Sequence, residues 1–250
     1  MTCAIDVNKV NFRYDEFRIE DVDFQLHVGE QKAVVGQNGS GKTTLFKLIV
    51  GLLEPSSGEV YVYDRRVTPE ILWEVRQDIG FLFQNPDDQL FAPTVWEDVA
   101  FGPSNLGLSE EEVAKRVDWA LETVKMSDFL ERPVNEMSHG QAKRVALAGI
   151  IAMRPSILIL DEPFAGLDFD MVSSMVDIIK ELRQEGLSIL YTTHNRFFLE
   201  NWADSVAVLD QGRVIFDGAV SEALSTQSVI ERMGDWAGLR RRMAKARVYG

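Results

Sequence analysis

The chain has 250 residues, 46% of them hydrophobic, which suits one large domain with a sizeable core. A formal net charge of -13 argues against nucleic acid as a main partner, because such a surface needs an excess of basic side chains. No apolar run approaches the roughly 20 residues of a membrane span, and the N-terminus lacks the charged-then-apolar pattern of a signal peptide. The single cysteine, Cys3, excludes an internal disulfide and suits a reducing cytoplasm.

The first part of the chain predicts two strands. Apolar and polar residues alternate over 4–14 and again over 22–28, a period that is typical of strands with one buried face. We expect these two strands to be antiparallel. Tyr14 ends the first strand, where its ring could stack on a purine base, and an ordinary edge aromatic is the alternative.

A phosphate-binding loop is predicted directly after a third, apolar strand at 32–35. Strand, glycine-rich turn and helix are the context that the G-x-x-x-x-G-K-[ST] motif requires, and an ordinary glycine-rich turn is the weaker alternative. The glycines allow backbone N–H groups to approach a phosphate. We expect Lys42 to reach the β- and γ-phosphates and Thr43 to hold Mg²⁺. The loop residues expected to contact a nucleotide are Gly36, Gln37, Asn38, Gly39, Ser40, Gly41, Lys42, Thr43 and Thr44.

After the phosphate loop, two further predicted strands are followed by a long segment of helical composition. Strands are predicted at 58–63 and 79–83, with an amphipathic segment at 70–77 between them. Gln84 ends the second of these strands and opens a polar segment rich in turn residues. From 94 to 153 the composition is helical, which predicts a helical subdomain inserted into an α/β frame.

Two sequences of the capping-box type mark helix starts in this subdomain. The second lies at 138–141, where serine and glycine at a helix N-terminus suit an anion, although taken alone a plain N-cap is the preferred interpretation. The first lies at 109–112 and precedes a helix with one apolar face, formed by Val113, Val117, Leu121 and Val124.

The second half of the chain predicts the centre of a parallel sheet. The apolar run at 156–160 is typical of a strand buried on both faces, and it ends in Asp161-Glu162-Pro163. Open α/β sheets bind ligands at this end of their strands. A helix at 170–184 and a buried strand at 187–193 follow, and residues 205–216 predict a hairpin.

The C-terminal tail is basic. Residues 236–250 contain five basic and no acidic side chains. A solvated, partly helical tail is the preferred interpretation, and a contact with a membrane surface or a partner is the alternative.

Taken together, these segments resemble the ATP-binding subunits of ABC transporters over about residues 4–233. The motifs that carry the resemblance are the phosphate loop at 36–44, the Q-loop glutamine Gln84, the signature at 137–141, the Walker B strand and its glutamate at 158–162, the D-loop at 165–168 and the switch histidine His194.

The fold that this resemblance implies is α/β, a P-loop NTPase (ABC ATPase) with a RecA-like core, an N-terminal antiparallel β subdomain and an inserted helical subdomain. The implied ABC ATPase domain spans 1–233, with its core at 1–84 and 155–233 and its helical subdomain at about 85–154. Residues 234–250 form the basic tail.

The resemblance also implies ATP hydrolysis and assigns its catalytic residues. Lys42 neutralises the β- and γ-phosphates. Glu162 activates the attacking water as general base, and His194 holds the γ-phosphate and steadies that water. Gln84 connects the γ-phosphate to whatever docks on the helical subdomain.

Ligands of Mg²⁺ and of the nucleotide are implied as well. Oxygen atoms of Thr43 and Gln84 hold Mg²⁺, with Asp161 acting through water, and Tyr14 stacks on adenine. The signature and the D-loop complete the site of a second ATPase subunit, so that two ATP molecules lie between two subunits. The residues implied in this contact are Ser138, Gly140, Gln141 and Asp168.

A narrower resemblance lies in 83–91 and 94–103, which are similar to the energy-coupling factor (ECF) branch of importers. It implies a homodimer of ATPase subunits at the cytoplasmic face of the cell membrane, bound to an integral membrane coupling protein and a substrate-binding membrane subunit. Asp87 and Asp88 are expected to pair with arginines of the coupling protein, and a solvated turn is the alternative.

Cobalt or nickel is the cargo that we expect, because ATPases of ECF vitamin importers usually carry a longer C-terminal extension. The alternatives are an ECF vitamin importer, an exporter and a soluble ABC ATPase of DNA repair or translation. The segment at 85–91 argues against an exporter, and soluble ABC ATPases usually have tandem cassettes or long coiled-coil insertions that this sequence lacks.

The signature departs from the family pattern of Leu-Ser-Gly-Gly-Gln at two positions. Met137 replaces leucine, which is a mild change. His139 replaces the first glycine and puts a bulky side chain at the mouth of the expected phosphate-binding helix. We therefore expect the contact geometry and the pH response of this site to differ from those of the usual signature.

Overall fold

The computed structural model describes residues 2–14 and 17–234, and two sheets form its framework. The first sheet is antiparallel, with strand order β2-β1-β4-β5. Its strands are β1 (Cys3–Tyr14), β2 (Phe17–His27), β4 (Ser57–Val62) and β5 (Arg65–Arg66). The second sheet contains β3 (Gln31–Val35), β6 (Ile79–Leu82), β7 (Ile157–Leu160), β8 (Ser188–Thr192), β9 (Ser205–Asp210) and β10 (Arg213–Ala219).

The second sheet has the order β10-β9-β3-β8-β7-β6 and is parallel except for the β9–β10 hairpin. Because β3, β7 and β8 are buried along their whole length, their sequences do not alternate between apolar and polar residues, and β7 is apolar throughout. Their carboxyl ends meet at one edge of the sheet, next to the phosphate loop and the acidic pair that follows β7. This edge is where ligands bind in open α/β sheets.

Helices cover both faces of the second sheet and form a cluster between β6 and β7. They are α1 (Lys42–Ile49), α2 (Leu72–Asp78), α3 (Val95–Asn105), α4 (Glu110–Thr123), α5 (His139–Ile151), α6 (Phe169–Gln184), α7 (Arg196–Trp202), α8 (Val220–Ser225) and α9 (Gln227–Gly234). No helix in the described ranges is long and apolar enough to cross a membrane.

The core has two parts, one on each face of the second sheet. Along β3, Val34 packs with the antiparallel sheet and α1, whereas Ala33 and Val35 pack with the helices on the other face. This follows from the alternation of side chains along a strand. The strand before the phosphate loop is thereby held on both sides.

The structure confirms most of the predicted elements. The strands β1 and β2 are antiparallel, β9 and β10 form the hairpin, and α1 follows the phosphate loop. The predicted apolar face of α4 is buried at Val113, Val117, Leu121 and Val124. The prediction of a basic tail at 236–250 lies outside the described residues.

Two helix starts differ from the prediction. Ser109 accepts a hydrogen bond from the backbone N–H of Glu112 at 3.3 Å, but the Glu112 carboxylate pairs with Arg116 at 3.0 Å instead of completing a capping box. An unpredicted complete capping box lies at Thr94 and Glu97, where it starts α3. The arginine one turn further along α4 therefore redirects the glutamate.

The predicted amphipathic segment at 70–77 is also corrected. It divides into a 3₁₀ turn at Pro69–Ile71 and the helix α2. Proline at the start fixes the backbone of this first turn.

Candidate functional site

The phosphate loop lies against the β9–β10 hairpin. Gly36 has φ 155°, and a Cβ atom there would lie 2.1 Å from the backbone oxygen of Leu209. The backbone N–H of Gly212 donates to the oxygen of Ser40 at 2.9 Å. Glycine at position 36 is therefore required by close backbone contact, in addition to its expected role near a phosphate.

Lys42 is buried at the start of α1 and closes the loop. Its ammonium donates to the backbone oxygens of Gly36 at 2.9 Å and Gln37 at 3.2 Å. Burial lowers the pKa of Lys42, while the carboxylates of Glu162 and Asp161 act in the opposite direction. A compact cation held at the centre of a glycine-rich loop is suited to neutralise phosphate charge.

Asp161 joins the phosphate loop to two strand ends. Its Oδ2 accepts a hydrogen bond from the Thr43 hydroxyl at 2.6 Å, and its Oδ1 accepts one from the Thr192 hydroxyl at 2.7 Å. The Thr192 hydroxyl in turn accepts a hydrogen bond from the backbone N–H of Glu162 at 2.7 Å. Both oxygens of this buried carboxylate are thus occupied, and the carboxylate is held in a single orientation.

Glu162 has a buried and unpartnered carboxylate oxygen. His194 Nε2 lies 3.0 Å from Glu162 Oε1, yet this oxygen makes no hydrogen bond within the described residues, so the contact is a close approach and not a well-directed bond. Burial raises the pKa of Glu162 and the charge of Asp161 adds to this rise, against the opposing charges of Lys42 and Lys143. A carboxylate with a raised pKa and a free oxygen is suited to accept a proton.

The surroundings of His194 lower the pKa of its imidazole and so favour the neutral form. Burial lowers its pKa and the charge of Lys42 lowers it further, although Asp161 opposes them. A neutral imidazole can both donate and accept a hydrogen bond, which suits a group that orients water.

A cavity of about 600 Å³ brings most of the predicted site residues together. It is lined by Phe17, Asn38, Gly39, Gly41, Lys42, Thr43, Thr44, Gln84, Asp161, Glu162, Ala165 and His194. Tyr14 is not part of this lining and is 67% exposed, and Phe17, which the sequence did not single out, lies in the cavity.

Ala165 of the D-loop lines this cavity, whereas the signature residues and Asp168 lie outside it and bond within their own elements. Ser138 and Gln141 form a complete capping box, with bonds of 3.3 and 3.0 Å, as their sequence predicts. The Asp168 carboxylate accepts a hydrogen bond from the backbone N–H of Met171 at 2.8 Å and caps α6. His139 is exposed, and its ring lies against Gly166, where an added Cβ would be 3.1 Å from Nε2.

Several residues that organise the site gave no signal in the sequence. Thr192 is the last residue of an apolar strand, and Lys143 lies within a helix, where a polar residue is ordinary. Gln89 accepts a hydrogen bond from the backbone N–H of Phe83 at 3.2 Å, and its side chain donates to the Ala146 oxygen at 3.4 Å. It therefore links the segment around Gln84 to α5.

The residues at the mouth of α1 fit a magnesium ion. A hydroxyl and a carboxylate are already paired there at 2.6 Å, in Thr43 and Asp161, and the Gln84 side chain lines the same cavity. All three are oxygen donors, which Mg²⁺ prefers. The described ranges contain no group of three or more His, Cys, Asp or Glu side chains arranged to hold a metal, so these donors include a single carboxylate, that of Asp161.

The fold and the cavity together define a phosphate-loop protein of the ATPase type. The ABC transporter family matches residues 19–165, which is more than half of the chain. Among curated proteins, the energy-coupling factor transporter ATP-binding protein EcfA of Methanosphaera stadtmanae is 42% identical over 239 residues, covering 92% of this chain and 84% of the relative. EcfA of Methanoculleus marisnigri is 44% identical over 220 residues, covering 88% and 79%.

Solved structures agree with this. CbiO1 from Clostridium perfringens, described as part of the ABC transporter complex CbiONQ, matches with a TM-score of 0.81 and 34% identity, covering 98% of this chain and all of that one. An ATP-binding cassette of an ABC transporter, MJ1267, matches with a TM-score of 0.80 and 27% identity, covering 92% of this chain and 98% of that one.

The chain therefore belongs to the ABC transporter ATPases, within the group of energy-coupling factor transporter ATP-binding proteins. This confirms the resemblance seen in the sequence, the expected fold class and the expected ATPase activity.

Proposed function

We propose that this chain is the ATP-hydrolysing subunit of an ECF-type importer, and that it works as a homodimer on an integral membrane coupling protein and a substrate-binding membrane subunit. The observation that carries the proposal is the cavity in which Lys42, Asp161, Glu162 and His194 converge beside the phosphate loop. The relatives named EcfA support the transporter assignment.

The proposed chemistry begins with the phosphates of ATP. Lys42 would turn its N–H groups from the oxygens of Gly36 and Gln37 to the β- and γ-phosphates. Thr43, Gln84 and, through water, Asp161 would hold Mg²⁺, which supplies charge neutralisation at the phosphates.

Glu162 is proposed as the general base. Its free Oε1 would accept the proton of the attacking water, and His194, 3.0 Å from that oxygen, would orient the water and hold the γ-phosphate. The hydrogen bond that the backbone N–H of Glu162 donates to the Thr192 hydroxyl fixes the backbone position of this base. Positioning of this kind supplies most of the catalysis in phosphoryl transfer.

A second subunit is proposed to complete each site. Ser138, Gly140, Gln141 and Asp168 do not line the cavity of their own chain, so a nucleotide bound there would meet them only from another copy. The N-terminus of α5 offers backbone N–H groups to such an anion. Tyr14 is proposed to stack on adenine, with Phe17 beside it in the cavity wall.

The docking surface for the membrane protein is proposed on the helical subdomain, at about 85–154. Asp87 and Asp88 are exposed on a 3₁₀ turn that the Asn85 side chain caps. In the same loop, Phe91 is 64% exposed and packs edge-on against Phe101, with ring centroids 4.7 Å apart. Carboxylates beside exposed aromatic rings suit a partner segment with arginine and apolar side chains.

The cargo that we propose is a cobalt or nickel ion, with a vitamin as the alternative, and the location is the cytoplasmic face of the cell membrane. The similarity to CbiO1 of the CbiONQ complex supports an assembly with membrane proteins but leaves the cargo to experiment.

The test is co-expression of the tagged chain with candidate multi-span membrane proteins, chosen first from the genes that neighbour its own. We expect membrane subunits to co-purify with two copies of this chain, and the reconstituted complex to take up Co²⁺ or Ni²⁺ when ATP is present. Uptake of a vitamin instead would correct the cargo alone. A chain that binds no membrane protein under these conditions would overturn the transporter assignment in favour of a soluble ABC ATPase.

A further inference from the structure

Lys143 is a fully buried lysine on α5 that the motifs of the family leave without a role. Its ammonium donates to two backbone oxygens, that of Glu162 at 3.0 Å and that of Ala165 at 3.1 Å. Lysine is almost never fully buried unless it is paired, because its charge must leave water. An apolar side chain at position 143 could not donate these hydrogen bonds, so the two carbonyl oxygens would lose their partner.

These two oxygens mark the ends of one turn of the chain. The backbone N–H of Ala165 donates to the Glu162 oxygen at 3.1 Å, which closes the turn over 162–165. Glu162 opens it with φ 49°, in the left-handed region that a residue with a Cβ seldom adopts. Lys143 holds the start and the end of this strained turn through a single side chain.

The N-terminal part of α5 also packs tightly on the loop that follows this turn. A Cβ atom at Gly140 would lie 2.0 Å from the Met171 sulfur of α6 and 3.4 Å from a methyl carbon of Leu167, so α5 is in close contact with these two side chains. One residue earlier, the His139 ring lies against Gly166. Together with Lys143, these contacts hold the first turns of α5 against the chain segment that carries Glu162.

We propose that Lys143 is a positioning residue that ties the signature helix of each subunit to the catalytic glutamate of the same subunit. The inference rests on the proposed function, in which the N-terminus of α5 meets the nucleotide bound to the other subunit. When α5 of one subunit closes on the ATP bound to the other subunit, it would then set the position of Glu162 in its own subunit. That Glu162 acts on the ATP bound to its own subunit. The two sites of the dimer would be linked through one buried ammonium group.

The first test uses Lys143→Met, which keeps the length of the side chain but removes its donors, and Lys143→Gln, which keeps an N–H donor. In the assembled transporter we expect Lys143→Met to lower kcat by about 10-fold or more with KM for ATP within about twofold. Lys143→Gln should recover part of this loss. If Lys143→Met does not fold, Lys143→Gln alone should still show the lowered kcat and the unchanged KM.

Lys32→Met is the matched control. Lys32 is another buried lysine, paired with Asp217 at 2.7 Å and bonded to the Gln25 oxygen, and none of these three residues lines the cavity. Its loss should lower thermal stability but leave kcat per folded protein unchanged. The proposal is overturned if Lys143→Met and Lys143→Gln both keep a kcat within twofold of wild type, or if Lys32→Met lowers kcat as much.

The second test uses mixed dimers in which one subunit carries Glu162→Gln, with single-turnover hydrolysis of bound ATP as the readout. When Lys143→Met is on the subunit with intact Glu162, we expect hydrolysis to slow by about 10-fold or more. When Lys143→Met is on the same subunit as Glu162→Gln, we expect the rate of single-turnover hydrolysis to be unchanged. The reverse result would overturn the proposal, because Lys143 would then act through the signature contact with the other nucleotide.

These outcomes are distinguishable from a failure of the proposed function. A wild-type complex that hydrolyses no ATP refutes the proposed function. Hydrolysis by the wild-type complex that does not depend on Lys143 refutes only the inference.

Discussion

Thr192 and Asp161, which lie at the ends of adjacent strands β8 and β7, are joined by a hydrogen bond of 2.7 Å from hydroxyl to carboxylate. The same hydroxyl accepts a hydrogen bond from the backbone N–H of Glu162 at 2.7 Å. The fully buried Thr192 side chain therefore orients Asp161, which is proposed to hold Mg²⁺ through water, and anchors the backbone of Glu162, the proposed general base.

Thr192→Val should lower both kcat and stability, because valine has the same shape and leaves two buried polar groups unpartnered. Each such group costs about 1–3 kcal/mol. We expect a loss of about 2–6 kcal/mol in urea unfolding and a fall in kcat of about 10-fold or more. Ser188→Ala is the control, since Ser188 accepts a hydrogen bond from the Gly29 N–H at the far end of β8 and should affect stability alone. Equal kcat in the two variants would contradict the role of Thr192.

Glu162→Gln should keep ATP binding and lower hydrolysis by about 10²-fold or more, because the amide cannot accept the proton of the attacking water. The dimer should be trapped in its closed form, which size-exclusion chromatography with ATP would show. Glu30→Gln is a suitable control, because Glu30 accepts hydrogen bonds from His27 and Ser205 away from the cavity. Near-normal turnover by Glu162→Gln would refute the assignment of the base.

Lys42→Ala should weaken ATP binding and abolish turnover, because it removes the buried cation from the phosphate loop. Calorimetry would measure the loss of affinity. Lys47→Ala, one turn further along α1 and outside the cavity lining, should bind ATP as wild type does. If Lys42→Ala keeps the wild-type affinity, the loop does not bind phosphate in the proposed way.

The pH dependence of kcat/KM should show an acid limb above the ordinary range of a glutamate. Glu162 must be deprotonated to act as base, and burial, assisted by Asp161, raises its pKa from the ordinary value of 4.5. Activity is therefore lost as pH falls through this raised pKa, at a higher pH than an exposed glutamate would give. Circular dichroism over the same range would control for unfolding. A profile that stays flat to pH 4.5 would contradict the shift.

Asp87→Asn combined with Asp88→Asn should separate hydrolysis from transport. Both side chains are exposed and neither lines the nucleotide cavity, so ATP binding and basal hydrolysis by the isolated chain should stay within a few-fold. Complex assembly or uptake should fall sharply, because bidentate pairing with arginine is lost. The matched control is Glu110→Gln with Glu111→Gln, an exposed pair on the same subdomain. Uptake at the wild-type rate by the Asp87/Asp88 variant would show that this pair is a solvated turn.

The sequence predicted those parts of the site that depend on local pattern. Glycine spacing marks the phosphate loop, and the end of an apolar strand marks Asp161 and Glu162, because strand, turn and helix impose short-range periods on the chain. The strand order could not be predicted in the same way. The pairing of β3 with both β8 and β9 joins segments more than 150 residues apart.

The residues that sequence reasoning missed act through long-range contacts. Thr192 bonds to a carboxylate 31 positions away, and Lys143 bonds to a backbone oxygen 19 positions away. Neither residue type is unusual in its own segment, so no local pattern distinguishes it. Phe17 likewise reaches the cavity because β2 passes over Gly41, where an added Cβ would meet its ring at 2.7 Å.

The position of Gly212 beneath the phosphate loop limits where this protein can be labelled or extended. The turn at 211–212 is a hairpin tip, the kind of place where a tag or a fluorescent domain is commonly inserted. Here the Gly212 N–H is bonded to the Ser40 oxygen, and an added Cβ would lie 1.9 Å from the Arg18 oxygen, so an insertion would displace the nucleotide site. The turn at Gly186 lies outside the proposed docking surface and has no heavy atom of the described chain within 4 Å of an added Cβ, which makes it a permissive site for a reporter.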